Sequence, residues 1–80
     1  MISLSDVKTG KSAIIKQLSG GKEFTNRVAA LGFTLGTKIT VLQNFGAGPV
    51  IIELRDSRIA LGRGEARKVL VMVENGEQAG

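Results

Sequence analysis

Apolar and polar positions along the chain pass from period two to helical spacing and back to period two, and each change predicts an element. From Lys11 to Leu18 the order is strand-like: Ala13, Ile15 and then Gln17 share one face, with Ile14, Lys16 and Leu18 on the other. Ser19-Gly20-Gly21 breaks this run. Phe24, Val28 and Leu31 then fall at i, i+4 and i+7, the spacing of one helical face, so Glu23–Leu31 is predicted to be helical. Glu23 in the first turn suits the positive end of the helix dipole. Gly32 stands where a left-handed helix stop is cheapest. Gly36 interrupts the connection before Ile39 and Val41 restore period two.

Four further strands follow from the same reading. Lys38–Asn44 is the second, and Phe45-Gly-Ala-Gly-Pro49 is a turn dense in breakers. Val50–Arg55, rich in β-branched residues, is the third. Asp56-Ser57 joins it to Arg58–Leu61 as a hairpin. Gly62–Ala66 reads as a turn or a single helical turn, and Lys68–Glu74 as the fifth strand. Residues 1–74 form one domain, and 75–80 a polar, glycine-ended tail expected to be mobile. Five short strands are too few for a two-sheet sandwich. The predicted fold is mainly β, a small, strongly bent five-stranded barrel with one helix inserted after the first strand.

Composition narrows the chemistry. Cysteine is absent among the 80 residues, so no disulfide staples the domain, and histidine is absent too. A nucleophile–base pair therefore lacks its commonest members. The carboxylates are scattered, and the closest candidates, Asp56 and Glu65, read more simply as partners of nearby arginines. Catalysis is not expected. Without imidazole or thiolate, a tight transition-metal site is not expected either, and no metal or cofactor is assigned. Gly10-Lys11-Ser12, Gly46-x-Gly48 and Gly62-x-Gly64 lack the strand–loop–helix context of phosphate-binding loops and are read as turns. The N-terminus reads as domain sequence, and the uncharged run Ile39–Ile52 is too short and too broken to span a bilayer. A cytoplasmic protein without direct membrane insertion is expected.

Net charge is +4, which selects no partner class by itself. Arg55, Arg58, Arg63, Arg67 and Lys68 cluster against Asp56 and Glu65. They form either an electropositive patch for an acidic or phosphate-bearing partner, or a solvated hairpin edge that discourages strand pairing. Only Phe45 among the aromatics lies in a loop, which argues against nucleic acid as a partner.

The stretch Arg27-Val-Ala-Ala-Leu-Gly-Phe-Thr-Leu-Gly-Thr-Lys-Ile39 resembles the central signature of the FeoA family, small proteins of bacterial ferrous iron transport. Leu4 with Gly10-Lys11-Ser12-Ala13 resembles the family's opening. Ile59-Ala60-Leu61, Glu65-Ala66 and Val69-x-Val71 resemble its close. The resemblance runs from about Ile2 to Glu74 and implies an SH3-like barrel. It also implies an accessory role, through contact with the cytoplasmic part of the membrane GTPase-transporter FeoB. Leu35 stands where such sequences commonly carry proline, Val28 where they carry leucine, and Gly62 where they tend to carry arginine or another polar residue. The expected partner-facing residues are Arg27, Phe33, Leu35, Arg58 and Arg63, with Phe33 alternatively a core residue. Two other readings are a regulatory module related to the C-terminal domain of metal-dependent repressors, and a small RNA-binding SH3-like module. Self-association stays open.

Overall fold

The computed structural model describes residues 1–74; the predicted tail, 75–80, lies outside the described residues. Six strands form one antiparallel sheet: β1 (Ile2–Ser3), β2 (Ser12–Leu18), β3 (Lys38–Gln43), β4 (Val50–Leu54), β5 (Ser57–Leu61) and β6 (Val69–Val73). Their order is β1-β6-β2-β3-β4-β5. Helix α1 (Gly21–Ala29) follows β2, and a single helical turn, α2 (Arg63–Ala66), follows β5.

In the make-up of the sheet, two features differ from expectation. A sixth strand exists because Ile2 and Ser3 pair with Val71 and Leu70 of β6, a contact too short to leave a periodic signal. The sheet is also open, with β1 and β5 as its edges, so the bending stops short of a closed barrel.

The bend has local causes. The register of β2 on β6 slips between Ile15 and Gln17, and that of β3 on β4 slips between Val41 and Gln43. Each slip leaves one residue, Lys16 or Leu42, without a ladder partner, and such bulges bend and twist a strand. The bulge in β2 also reverses its sidedness. Ala13 and Ile15 are buried as expected, but Leu18 pairs with Val69 and packs against the core, while Gln17 faces outward. Simple alternation assigned those two the wrong way round.

The core joins the inner sheet residues Ala13, Ile15, Ile39, Val41, Val50, Ile52, Leu54, Leu61, Val69 and Val71 to Phe24 and Val28 of α1. Leu4, Val7, Phe33 and Ala66 close its ends. Leu31 does not join. α1 stops at Ala29, so Leu31 belongs to the exit and is 47% exposed.

That exit is built on Gly32, at φ +102. The Gly32 N–H donates to Ala29 O at 2.9 Å and the Phe33 N–H to Val28 O at 3.0 Å, the paired bonds that satisfy orphan carbonyls at a helix end. A Cβ on Gly32 would also stand 2.8 Å from Leu54 Cδ2, so the glycine is needed twice over. Phe33, the next residue, is fully buried. Thr34–Thr37 then makes a turn, closed by Thr37 N–H to Thr34 O at 3.1 Å, with Gly36 at φ +88 in its third position. That is the form of a type II turn, whose second position, Leu35 here, favours proline.

Candidate functional site

The five residues expected to face a partner do not form one patch. Phe33 is 0% exposed and forms part of the core. Arg63, at the start of α2, is half-buried and held against the rest of the molecule by three hydrogen bonds. Its Nε donates to Gly48 O at 3.1 Å, Nη1 to Ser5 O at 3.1 Å and Nη2 to Asn44 Oδ1 at 2.6 Å.

Asn44 completes this knot. Its side-chain amide donates to Ser5 O at 2.9 Å and Val7 O at 2.7 Å, and its Oδ1 also accepts from the Gly46 N–H at 3.1 Å. The Asn44 N–H donates to Thr9 Oγ1 at 2.8 Å, and that hydroxyl donates to Asn44 O at 3.2 Å. One asparagine and one arginine thus tie the 3₁₀ turn Leu4–Asp6, the Thr9 turn, the β3–β4 loop and α2 together. Sequence reasoning missed Asn44. The signal was there, since an asparagine two residues before a glycine in a breaker-rich loop is the pattern of an Asx turn.

Arg27 lies elsewhere. Its Nη2 meets Glu65 Oε2 at 2.7 Å, joining α1 to α2, and its guanidinium lies 5.7 Å from the centroid of the Phe24 ring. Lys68 Nζ approaches the same ring at 5.2 Å. Glu65 uses its other oxygen to accept from the Gly62 N–H at 3.2 Å, capping α2. Both side chains of the Arg27–Glu65 pair are substantially exposed, so its electrostatic contribution is small.

Leu35 and Arg58 are the two the structure brings to one side. Leu35, 65% exposed at the turn after α1, lines an open groove of about 550 Å³ with Gly36, Thr37, Lys38, Thr40, Glu53 and Arg55. The floor of the groove is the outer face of β3 and β4. Ser12, Thr40, Glu53 and Arg58 follow one another across β2, β3, β4 and β5 as successive register partners. Ser12 and Thr40 hydroxyls are 2.9 Å apart, and Lys38 Nζ meets Glu74 Oε1 at 3.1 Å. Arg55, at the β4–β5 turn, takes φ +58. This face combines one exposed aliphatic side chain with cations and a carboxylate on a rigid sheet, a composition suited to protein recognition.

Among the described residues no three His, Cys, Asp or Glu side chains come together as a metal-binding group. No described helix is long and apolar enough to cross a membrane.

Comparison with known proteins agrees with this architecture. The pattern of the FeoA domain family matches residues 2–73. An Fe(2+) transport protein A of Methanocaldococcus jannaschii is 39% identical over 80 residues, covering 100% of this chain and 94% of that protein. A fusion of Fe(2+) transport protein A with the Fe(2+) transporter FeoB, from Porphyromonas gingivalis, is 35% identical over 69 residues; the match takes in 85% of this chain and 8% of the fusion. Among solved structures, an iron uptake regulatory protein (FeoA) superposes with a TM-score of 0.84 at 32% identity, over 91% of this chain and 96% of that one.

A zinc complex of Stenotrophomonas maltophilia FeoA, described as an SH3 domain protein, superposes at 0.81 over 94% and 98% of the two chains. At 23% identity it shows the shared SH3-like fold alone. A manganese-dependent transcriptional repressor shares the fold at a TM-score of 0.80 and 19% identity, over 90% of this chain and 41% of that one. Its likeness extends to architecture only. By sequence pattern along nearly its whole described length, and by an SH3-like sheet with one helix after its first long strand, this chain belongs to the FeoA family.

Proposed function

We propose that this chain is an accessory protein of ferrous iron uptake, acting from the cytoplasm by contact with the cytoplasmic part of a FeoB-like membrane GTPase-transporter. The observation that carries this reading is the Porphyromonas gingivalis protein, in which a relative of this chain and the transporter FeoB are one polypeptide. Covalent fusion keeps two modules at high effective concentration, which serves modules that act together. The composition of the chain supports contact rather than catalysis, since it has neither histidine nor cysteine.

In this reading the outer face of β3–β5 is the docking surface. Leu35 supplies the apolar anchor, and Arg58, with Arg55 beside the groove, supplies charge for orientation. Phe33 and Arg63 serve from below, holding the helix exit and the rim in shape. Arg27 acts through its clasp with Glu65.

Capture by the immobilised cytoplasmic portion of the cognate transporter tests the proposal. The native chain is retained, and a Leu35→Glu, Arg58→Glu double variant loses at least about tenfold in affinity, roughly 1.4 kcal/mol. Failure of the native chain to bind would overturn the choice of partner. Unchanged binding by the double variant would overturn the choice of face.

A further inference from the structure

β5 is the last strand on one side of the open sheet, so among the described residues its outer edge has no partner strand. Its pairing with β4 is regular, from Leu54 opposite Ser57 to Val50 opposite Leu61 without a register shift. Leu54 and Ser57 close a two-residue turn, and such a closing pair exchanges both of its hydrogen bonds. Alternation along the ladder then sends the backbone groups of Ser57, Ile59 and Leu61 to β4, and those of Arg58 and Ala60 outward. No turn, loop or capping backbone bond from another described segment reaches Arg58 or Ala60.

Proteins usually blunt such edges by shortness, proline or a bulge. The opposite edge, β1, is two residues long. β5 has five residues, no proline and no bulge. Only Arg58 guards it.

We propose that β5 is a self-association edge, on which a second copy of this chain adds its own β5 antiparallel about a two-fold axis through Ile59. The register follows from the donors and the charges. Centring on Ile59 places Arg58 opposite the partner's Ala60, so the outward N–H and C=O groups of both residues are satisfied on each chain. Centring on Arg58 would set two guanidinium groups directly opposite each other, which is unfavourable. Centring on Ala60 would pair Arg58 with the partner's Gly62, outside the strand.

The side chains fit the Ile59 register. On the outer face the small Ala60 leaves room for the partner's Arg58. On the inner face Ile59, half-buried in one copy, meets the partner's Ile59. The overall charge of +4 does not oppose this contact locally, because Glu53 and Asp56 balance Arg55 and Arg58 around the hairpin. This inference does not depend on the proposed function.

Sedimentation and amide hydrogen exchange of the full chain, from roughly 10 µM to 1 mM, give the test over the range expected of a weak contact. The expected result is a monomer–dimer equilibrium in which the Arg58 and Ala60 amides gain protection as concentration rises. Ala60→Pro removes an edge donor that β4 does not use, so it should abolish the dimer while circular dichroism stays native-like. Two further variants remain informative even if the proline disturbs the strand. Ala60→Glu, opposite the partner's Arg58, should tighten the dimer about three- to tenfold, and Ala60→Lys should weaken it by a similar factor. A monomer at 1 mM would overturn the proposal, as would a dimer insensitive to charge at position 60 or Arg58 and Ala60 amides whose exchange does not change with concentration.

Discussion

Replacing Arg63 by alanine separates the role that the fold gives it, holding the domain together, from the role expected from the sequence, touching a partner. The substitution removes hydrogen bonds to Gly48 O, Ser5 O and Asn44 Oδ1. Hydrogen bonds from a charged donor contribute about 1.5–3 kcal/mol each, about 4.5–9 kcal/mol for the three, which is comparable to the whole stability of a small domain. The structure gives reasons to discount that sum. Ser5 O keeps the Asn44 amide, Asn44 Oδ1 keeps the Gly46 N–H, and Gly48 is exposed, so its carbonyl regains water. No acceptor is orphaned, and the guanidinium is only half-buried.

About 2–3 kcal/mol is therefore expected for Arg63→Ala, near one full-strength bond. For a domain of this size that lowers the melting temperature by roughly 10–20 °C. Urea unfolding of Arg63→Ala, Asn44→Ala and the double variant gives the assay. A shared network predicts that the single losses overlap, with a coupling of about 1 kcal/mol or more. A loss below about 0.5 kcal/mol for Arg63→Ala, typical of an exposed surface change, would refute the structural role. If such a variant also lost transporter binding, Arg63 would be a contact residue after all.

Other positions give independent checks by thermal or urea unfolding. Gly32→Ala is expected to cost about 2–3 kcal/mol, because it combines left-handed strain with the approach of Leu54 Cδ2; Gly36→Ala, with open space at its Cβ, should cost only about 1 kcal/mol. Equal losses at the two sites would contradict the packing argument. Leu35→Pro, in the second position of its turn, should be neutral or stabilising by up to about 1 kcal/mol, and a clear loss would show that the turn is not of the proline-compatible type. Arg55→Gly should stabilise by about 0.5–1 kcal/mol by relieving φ +58, less the greater entropy of glycine in the unfolded chain; destabilisation would mean the arginine side chain contributes more than its backbone strain.

Much of the architecture was legible because it rests on local rules. The Phe24–Val28 part of the helical stripe, the Gly32 stop and the β4–β5 hairpin are encoded within a few residues of one another and are found in the fold, although Leu31 falls outside the stripe and the hairpin turn is Arg55-Asp56, one residue earlier than Asp56-Ser57. What escaped depends on distant partners. β1 exists only because β6 lies beside it, and the outward turn of Gln17 follows a bulge whose register is set by Val71 and Leu70.

The candidate site was less legible for the same reason. Arg63 looked like one of several surface cations, and only the folded chain brings Ser5, Asn44 and Gly48 to it across up to 58 residues of sequence. Phe33 reads as either core or surface until the helix exit is built and its ring turns inward. Leu35 was marked by its apolar character in a turn, and that local oddity persists as exposure in the fold.

The most direct test of the docking account is an amide chemical-shift map of the labelled chain titrated with the cytoplasmic portion of the FeoB-like transporter. The account predicts perturbations concentrated at Leu35, Lys38, Thr40, Glu53, Arg55 and Arg58, with the Asn44–Arg63 knot unchanged. Perturbations centred instead on the exposed Phe45 loop or on the Arg27–Glu65 clasp would contradict it.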